Sequence, residues 1–596
     1  MGIERQKITI LYGSETGNAQ DYAHYLSKRL RYYQVQTVLS TLDDFELKRL
    51  VTDVEYLIII CSTTGQGELP RNAKKFMQFI LRKKLPNDLF DHISLTTFGL
   101  GDSSYPKFNY GIKKIHTRMK QLGCQELSPS SEADELSAEG IDGYYKIWEE
   151  ELLASIQRHI PDAISVDDEI LLEPEFKVQI AQDSPEVVTK GNAKETSLSR
   201  NSSVKDDMAN EVLQGTILVK ERVTSENHFQ DVRRVVIHSD TEISYAPGDT
   251  IALYPSNSEE DVEALLKSQS HWIPLADKPL SISGNLFGVQ GGIIKDLTLR
   301  NLLTHHLDLS QVPTRSFFFT LWHFIDGLTE DGEREKERAK EFSNINESEE
   351  LYNYANRPRR LVLETLLEFE NNLEIPVEYI LDLFSFIKPR LFLIASCPSK
   401  HEVELVIALV EYKTIMRKTR KGLCSTWLKS LDEGDKIVFS VHASNMHFPK
   451  DKPIILAATG TGIAPMKSLV ENLVEEKYPQ NLYLFYGCRY LDKDYLFRLV
   501  WDRTEDLKNF SVFSREATNN VKYIQHKLYE QAKLVGDLIL NQDATFYLCG
   551  SNGKMPREVR ITLVEILKLV DNMTEEEAEK YLFVMESKGR YLQETW

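Results

Sequence analysis

Three things are scarce in this chain. The first is long apolar sequence. No run approaches the ~18 residues that cross a bilayer as a helix; the longest, such as residues 56–61, are strand-sized. Residues 1–7 are polar and lead straight into a strand pattern, without the charged-then-apolar layout of a secretory signal. Neither a membrane anchor nor a secreted route is expected. The second is cysteine: Cys61, Cys124, Cys397, Cys424, Cys488 and Cys549 are scattered, and none forms a CxxC or zinc-like spacing. That argues against a disulfide framework and a metal site, and fits free thiols in a reducing, cytoplasmic setting. The third is positive charge. Lys and Arg number 71 against 90 Asp and Glu, a net charge of −19. A nucleic-acid surface needs dense cations, so that class of partner is not expected.

What is present is ordinary globular material, 42 % hydrophobic and 27 % charged over 596 residues. At roughly 100 to 200 residues per domain, three to five domains are expected. Residues 1–160 alternate short apolar runs (8–12, 56–61, 95–98) with helical stretches. That pattern predicts a doubly wound parallel sheet. Residues 161–210 are polar and poor in aromatics, and read as a flexible linker. Strand patterns occupy 211–257 and return over 386–447, which predicts a β-barrel. The intervening 258–385 read as a helical insertion, with the charged run 329–350 as a solvated helix or loop. Strand and helix alternate again from 448 to 596, giving a second α/β domain. The fold class expected is thus α/β and multidomain.

Three loops of the first domain follow strands and are rich in Gly, Ser and Thr. Ser14, Glu15, Thr16, Gly17, Asn18 and Ala19 open a helix, where exposed amides and hydroxyls suit a phosphate dianion. The second loop begins Ser62, Thr63, Thr64, Gly65. The third holds Leu100, Gly101, Asp102, Ser103, Ser104, Tyr105, Pro106, Lys107, Phe108 and Asn109. Ligands of open α/β sheets sit beyond the carboxyl ends of strands. Hydroxyls for phosphate, backbone for ring edges and an aromatic to stack suit a flat ligand with a phosphate tail. Together these loops resemble flavodoxin-type FMN domains. The resemblance implies phosphate at the first loop, isoalloxazine between the other two with Tyr105 stacked on it, and Asp134 at the ribityl chain.

The second half carries its own motifs. Arg390 leads a short strand, Leu391, Phe392, Leu393, and could set a cation beside a pyrophosphate. Gly422, Leu423, Cys424 and Ser425 form a helix start of the same kind. Residues 458–465 (Ala-Thr-Gly-Thr-Gly-Ile-Ala-Pro) lie between a strand and a helix, and their glycines let backbone approach a dinucleotide. Ser514, Arg515, Lys522 and Tyr523 combine cations with hydroxyls, which favours the 2′-phosphate of NADPH over NADH.

This half resembles the ferredoxin–NADP reductases, and the whole resembles the diflavin reductases. That resemblance implies a ferredoxin–NADP-reductase-like barrel and nucleotide domain with three cofactors: FMN, FAD and NADPH. It places FAD at Arg359, Arg390–Leu393, Gly422–Ser425 and under a terminal aromatic, Trp596. It places NADPH at Thr461, Ser514, Arg515, Val521, Lys522, Tyr523, Ile524, Gln525 and Arg557. Cys549, Glu594 and Trp596 then border the hydride path. Within the family, the wording of 63–72, 107–112, 553–556 and the last four residues is similar to the fungal branch serving cytosolic iron–sulfur protein assembly. That branch reduces a cluster-carrying protein of anamorsin type, with a further role in ribonucleotide reductase cofactor assembly. Mitochondrial association is also implied. A sulfite reductase or methionine synthase type of acceptor, or a non-catalytic scaffold, is the alternative.

Several positions depart from the family. Thr64 stands where many relatives have a second stacking Tyr. Phe392 and Leu393 stand where relatives have Tyr and Ser, Glu594 replaces Asp, and Val521 replaces Lys. Weaker FAD retention or slower flavin reduction is expected. The acidic stretch 132–151 holds Glu132, Asp134, Glu135, Glu139, Asp142, Glu149, Glu150 and Glu151 against Lys146 alone. As a rim beside the FMN it would steer a basic acceptor or the basic residues 417–421; as a helix face it would simply be solvated.

Overall fold

The computed structural model describes residues 7–64, 67–103, 107–137, 139–180, 212–283, 297–444, 446–449, 451–516 and 520–595. They form two compact units. The first holds the described residues within 1–191, 259–386 and 414–416; the second holds those within 192–258, 387–413 and 417–596.

In the first unit a parallel sheet runs in the order Gln36–Thr41, Lys7–Gly13, Tyr56–Ser62, Ser94–Gly101, Gln125–Glu126. Ser131–Asp134 continues the edge beside the end of Ser94–Gly101. This is the flavodoxin-like order, wound in both directions from the first strand. Both faces are covered, so strands are apolar on both sides. Tyr56, Ile58 and Ile60 enter one core with helices Asn18–Tyr32 and Gly140–His159. Leu57, Ile59 and Cys61 enter the other, under Lys74–Ile80 and Tyr110–Gln121.

The helical segment packs around a third core that includes Trp272, Phe318, Phe342 and Phe369. Within the charged run, helix Glu330–Ser343 is capped by Thr329, whose hydroxyl accepts the Gly332 amide. The segment 161–180, read above as the start of a linker, is built into the fold. Lys177–Ile180 pairs antiparallel with Leu280–Ser283, and Val178 is buried in the helical core. The rest of the expected linker to 210 lies outside the described residues, as does 211.

Helix Arg315–Leu321 binds this segment to the flavodoxin-like sheet. Its Thr314 cap accepts the Phe317 amide. Arg315 grips Asp142 through two bonds of 2.9 and 2.8 Å, and Tyr22 donates to the same carboxylate. Ser316 donates to Asp21 at 2.7 Å. Lys28 donates to the Ser316 carbonyl, the Thr320 hydroxyl and the Asp382 carbonyl at 2.8 to 2.9 Å. Phe319 adds its ring edge-on to Tyr25 and Tyr32. Two members of the expected acidic rim are therefore spent inside: Asp142 on Arg315, and buried Glu149 on Arg29.

In the second unit six strands run in the order Arg390–Leu393, Thr250–Leu253, Lys436–His442, Leu213–Arg222, Val232–Ser239, Glu402–Ala408, with every neighbour antiparallel. A bridge from Ile394 to Leu405 joins the two ends, closing a barrel. Ile217, Ile237, Ile251, Leu405 and Phe439 fill it, with Leu428 of helix Leu423–Ser430 among them. The last domain is a parallel sheet ordered Leu507–Asn509, Leu482–Cys488, Ile454–Thr459, Thr545–Gly550, Tyr591–Thr595. Val232, Ala395 and Val406 of the barrel share one core with Leu456, Met466 and Tyr486 of this sheet. Among the described residues no helix is long and apolar enough to cross a membrane.

Candidate functional site

The first loop is shaped by one glycine. Gly17 sits at φ +107°, in the region that side-chain-bearing residues avoid, and its amide donates to the Ser14 hydroxyl at 3.0 Å. Ser14 is itself held by the Asn72 side chain at 2.9 Å. Helix Asn18–Tyr32 starts there with no side-chain cap from Gly17, a helix start of the kind that suits an anion. Glu15 is turned to the second loop, where it accepts the Arg71 amide and pairs with its guanidinium.

The second and third loops brace each other. The Thr63 amide donates to the Leu100 carbonyl, and the Thr63 hydroxyl accepts from Gly111. Thr64 bridges to Glu68 across the tip. Gly67, at φ +92°, lies so close to Lys107 that a Cβ would stand 2.5 Å from that side chain's own. Asn109 occupies the left-handed region, buried, and donates to the Ala133 carbonyl at 2.9 Å. Its amide oxygen lies where a Cβ at Gly99 or Gly101 would strike it at 2.8 Å. Asp134 accepts the Ser103 and Leu136 amides, and those bonds with Ser103 hold its carboxyl below the usual range. Its carboxylate thus holds the third loop in place. Gly65, Ser104, Tyr105 and Pro106 lie outside the described residues.

In the barrel, Arg390 opens its strand opposite Leu253 and donates to the Lys388 carbonyl at 2.6 Å. Gly422 is extended and precedes helix Leu423–Ser430 without capping it, a helix start of the same kind. The Ser425 hydroxyl accepts the Val410 amide at 2.8 Å, which fixes its oxygen and leaves its own proton to donate. Cys424 is buried, and burial pushes its thiol up to about 12. Phe392 packs against the barrel core and Leu393 against the core shared with the last domain, while Leu391 is exposed. Arg359 belongs to the first unit, where it takes φ +53° just after the turn Tyr352–Asn356.

The nucleotide sheet changes direction between Ile454–Thr459 and Thr545–Gly550, the switch point at which such sheets bind ligands. Two glycines bring the strand ends together. A Cβ on Gly462 would stand 2.4 Å from the Cys549 carbonyl oxygen, and one on Gly550 2.3 Å from the Thr459 hydroxyl. Thr461 lies in the turn Gly460–Gly462, which leads into helix Ile463–Glu475. Ser514 and Arg515 follow strand Val512–Phe513, and their amides donate to the carbonyls of Cys488 and Arg489. An open cleft of about 590 Å³ is lined by Asn520, Val521, Lys522, Gln525, His526, Tyr529, Glu530 and Thr562. Tyr523 is exposed beside it and Ile524 is buried beneath. His526 was missed from sequence; its ring nitrogen accepts the Lys522 amide, tying helix to turn. Arg557 rides on helix Lys554–Asp571 and is not among the cleft residues. Cys549 is buried directly opposite Glu594 on strand Tyr591–Thr595. Burial, then Glu594, pushes the thiol well above its ordinary value, so the sulfur keeps its proton at neutral pH. Trp596 lies outside the described residues. No cluster of His, Cys, Asp and Glu among the described residues could hold a metal.

Three known families match consecutive parts of the chain: flavodoxin over residues 10–148, the FAD binding domain over 208–427, and the oxidoreductase NAD-binding domain over 456–560. NADPH-dependent diflavin oxidoreductase 1 of Debaryomyces hansenii is 57 % identical, covering 100 % of this chain and 99 % of its own. The protein of that name from Saccharomyces cerevisiae is 39 % identical over 99 % of both, and that of Schizosaccharomyces pombe 35 % identical over 100 % of both. The chain belongs to the NADPH-dependent diflavin oxidoreductase family. It is an oxidoreductase with FMN, FAD and NADPH as cofactors.

The donor sets fit that diflavin chemistry. An uncapped helix start at Asn18 suits the FMN phosphate, and a second at Leu423 suits the FAD pyrophosphate. The turn Gly460–Gly462 lies at the switch point where a nicotinamide dinucleotide would bind, and Gly462 lets the turn pack on the Cys549 carbonyl, which any side chain there would strike. For a diflavin oxidoreductase, each of these sites lies at the carboxyl end of a strand or at a helix start.

Proposed function

We propose that this diflavin oxidoreductase delivers electrons from NADPH to an iron–sulfur cluster protein of anamorsin type, in cytosolic iron–sulfur protein assembly. When bound, the cofactors would supply the redox chemistry, hydride transfer for NADPH and FAD and one-electron transfer for FMN. The chain's residues bind and orient. Ser514, Arg515 and Lys522 hold the 2′-phosphate, Gly460 and Gly462 admit the pyrophosphate, and Thr461 fixes it by its hydroxyl. The Cys549 thiol keeps its proton beside the nicotinamide, so no thiolate competes as a nucleophile. Arg390 and the amides at Leu423 anchor FAD, and the amides at Asn18 anchor FMN. The cytoplasm is the compartment this reading requires; mitochondrial association is implied by the resemblance alone.

The observation that carries the reading is the match along the whole chain to relatives named NADPH-dependent diflavin oxidoreductase 1, joined to the branch-like wording of 63–72 and 107–112. The test is an acceptor screen with NADPH as donor. Rapid reduction of an anamorsin-type cluster protein, and none of sulfite reductase haemoprotein, is expected. The reverse preference overturns the acceptor and leaves the reductase chemistry standing.

A further inference from the structure

A phenylalanine stands out of the barrel where its surroundings are otherwise rigid. The loop after strand Leu213–Arg222 is fastened on every side. The Arg222 guanidinium donates to the carbonyls of Thr224, Ser225 and His228, and the Ser225 amide donates to the Lys493 carbonyl at 2.9 Å. His228 is buried, 3.8 Å from the Asp494 carboxylate and edge-on to Tyr490. Phe229, the next residue, is 71 % exposed. A fastened loop that leaves one large apolar ring in water calls for a partner for that ring.

The ring has one. The Arg489 guanidinium lies 4.0 Å from its centroid, within the range at which a cation is held by the ring quadrupole. Arg489 follows strand Leu482–Cys488, and its carbonyl accepts the Arg515 amide at 3.1 Å, so the backbone sets it beside the Ser514 and Arg515 pair. Asp494 fixes the turn from the other side by accepting the amides of Arg489 and Tyr490. That carboxylate is engaged by those two amides and faces His228. Among the described residues no carboxylate forms an ion pair with the Arg489 guanidinium. A cation held in place, next to two phosphate-binding candidates and without an anion of its own, is a receptor for one.

We propose that Phe229 is a positioning residue for nucleotide selection: its ring holds the Arg489 guanidinium beside Ser514 and Arg515, so that a barrel loop helps the last domain prefer a 2′-phosphorylated nucleotide. The inference rests on the assignment of Ser514 and Arg515 to the 2′-phosphate. Phe229 acts only through Arg489. Stacking matters, not apolar bulk, since a cation gains nothing from an aliphatic side chain.

The test measures 2′,5′-ADP binding to the flavin-loaded full chain by calorimetry, with the NADPH steady state alongside. Phe229→Leu should weaken 2′,5′-ADP by about two- to fivefold, the span a partly exposed cation–π contact supports. Phe229→Trp should restore it. The NADPH KM should rise by the same factor with kcat unchanged, and NADH should be unaffected. In an Arg489→Ala background Phe229→Leu should have no further effect, because the two act as one unit. If Phe229→Leu binds 2′,5′-ADP like the unaltered chain, or its effect persists without Arg489, the proposal is wrong. Arg515→Ala separates the two readings. If it weakens 2′,5′-ADP while Phe229→Leu does not, only the role of Phe229 falls. If Arg515→Ala changes nothing, the pocket assignment and the proposal fall together.

Discussion

The two α/β sheets are anchored to their neighbours by different balances of charge and apolar contact. The flavodoxin-like sheet meets helix Arg315–Leu321 through charges: Arg315 on Asp142, Lys28 on three oxygens, Ser316 on Asp21. The nucleotide sheet meets the barrel mainly through a common apolar core of Val232, Ala395 and Val406 against Leu456 and Met466, with one buried cation, Lys467, reaching Glu404 and the Ala395 carbonyl at 3.3 Å. Apolar contact has no specific partner geometry and is lost gradually. Buried charge is satisfied in one arrangement only, and a mismatch costs several kcal/mol. The first seam, richer in charge, therefore selects one docking pose more sharply. Each seam lies inside one compact unit.

The largest break in this contrast is Arg315→Ala. It leaves Asp142 and Tyr22 without their cation, and about 3 kcal/mol should be lost from the first unit in urea unfolding, the low end for a broken buried pair because Asp142 keeps some solvent contact. Arg315→Met with Asp142→Leu should recover most of it. A loss no larger than that of an exposed pair would mean the seam is not built on charge.

The next effect is one of pH. Desolvation lowers the Lys28 pKa from 10.5 to about 8 against the opposing pull of Asp382, Glu175 and Asp21. The folded value lies below the unfolded one, so between about pH 8 and 10.5 the unfolded chain binds the extra proton. Stability contributed at this site should rise with pH across that window by about 2 kcal/mol, and stay flat below it. Other groups titrate there too, so the readout is the difference between the unaltered chain and Lys28→Met. An identical pH slope in both would remove Lys28 from the account.

The smallest effect probes the apolar seam. Leu393→Ser removes a side chain that packs against the shared core, and about 1 to 2 kcal/mol should be lost. It also restores the hydroxyl common in relatives, so the flavin-reduction rate should rise while stability falls. An unchanged rate, with stoichiometric FAD already in place, would show that Leu393 costs the chemistry nothing.

Much of this was legible before any coordinates. Glycines and hydroxyls at the ends of apolar runs marked the loops 14–19, 62–65 and 458–465, because a strand that ends at a ligand must turn tightly without bulk. The β-like runs at 215–220, 231–237 and 249–254 marked the barrel. The seams were not legible. Asp142 and Glu149 look like any charges on an amphipathic helix, and Asp142 meets Arg315 173 positions away, a separation with no periodic trace. Residues 161–180 are polar enough to read as linker, yet buried Ala163 and Val178, a four-residue pairing and backbone bonds to Tyr32, Tyr379 and Asp382 fasten them. Phe229 was invisible for the same reason: a single loop residue takes its meaning from what the chain later brings beside it.

The interrupted barrel has a consequence for how the chain is made. Its central strands end at Leu253, and their partner Lys436–His442 ends 442 − 253 = 189 residues later. At about 5 to 20 residues per second, a ribosome needs about 10 to 40 s to supply it. Through that interval Leu213–Arg222, Val232–Ser239 and Thr250–Leu253 wait on a nascent chain with unpaired edges, while the helices of the insertion are already out and able to fold onto the first domain. The order of synthesis thus favours completion of the FMN end first, and leaves three open strands as the stretch most in need of a chaperone.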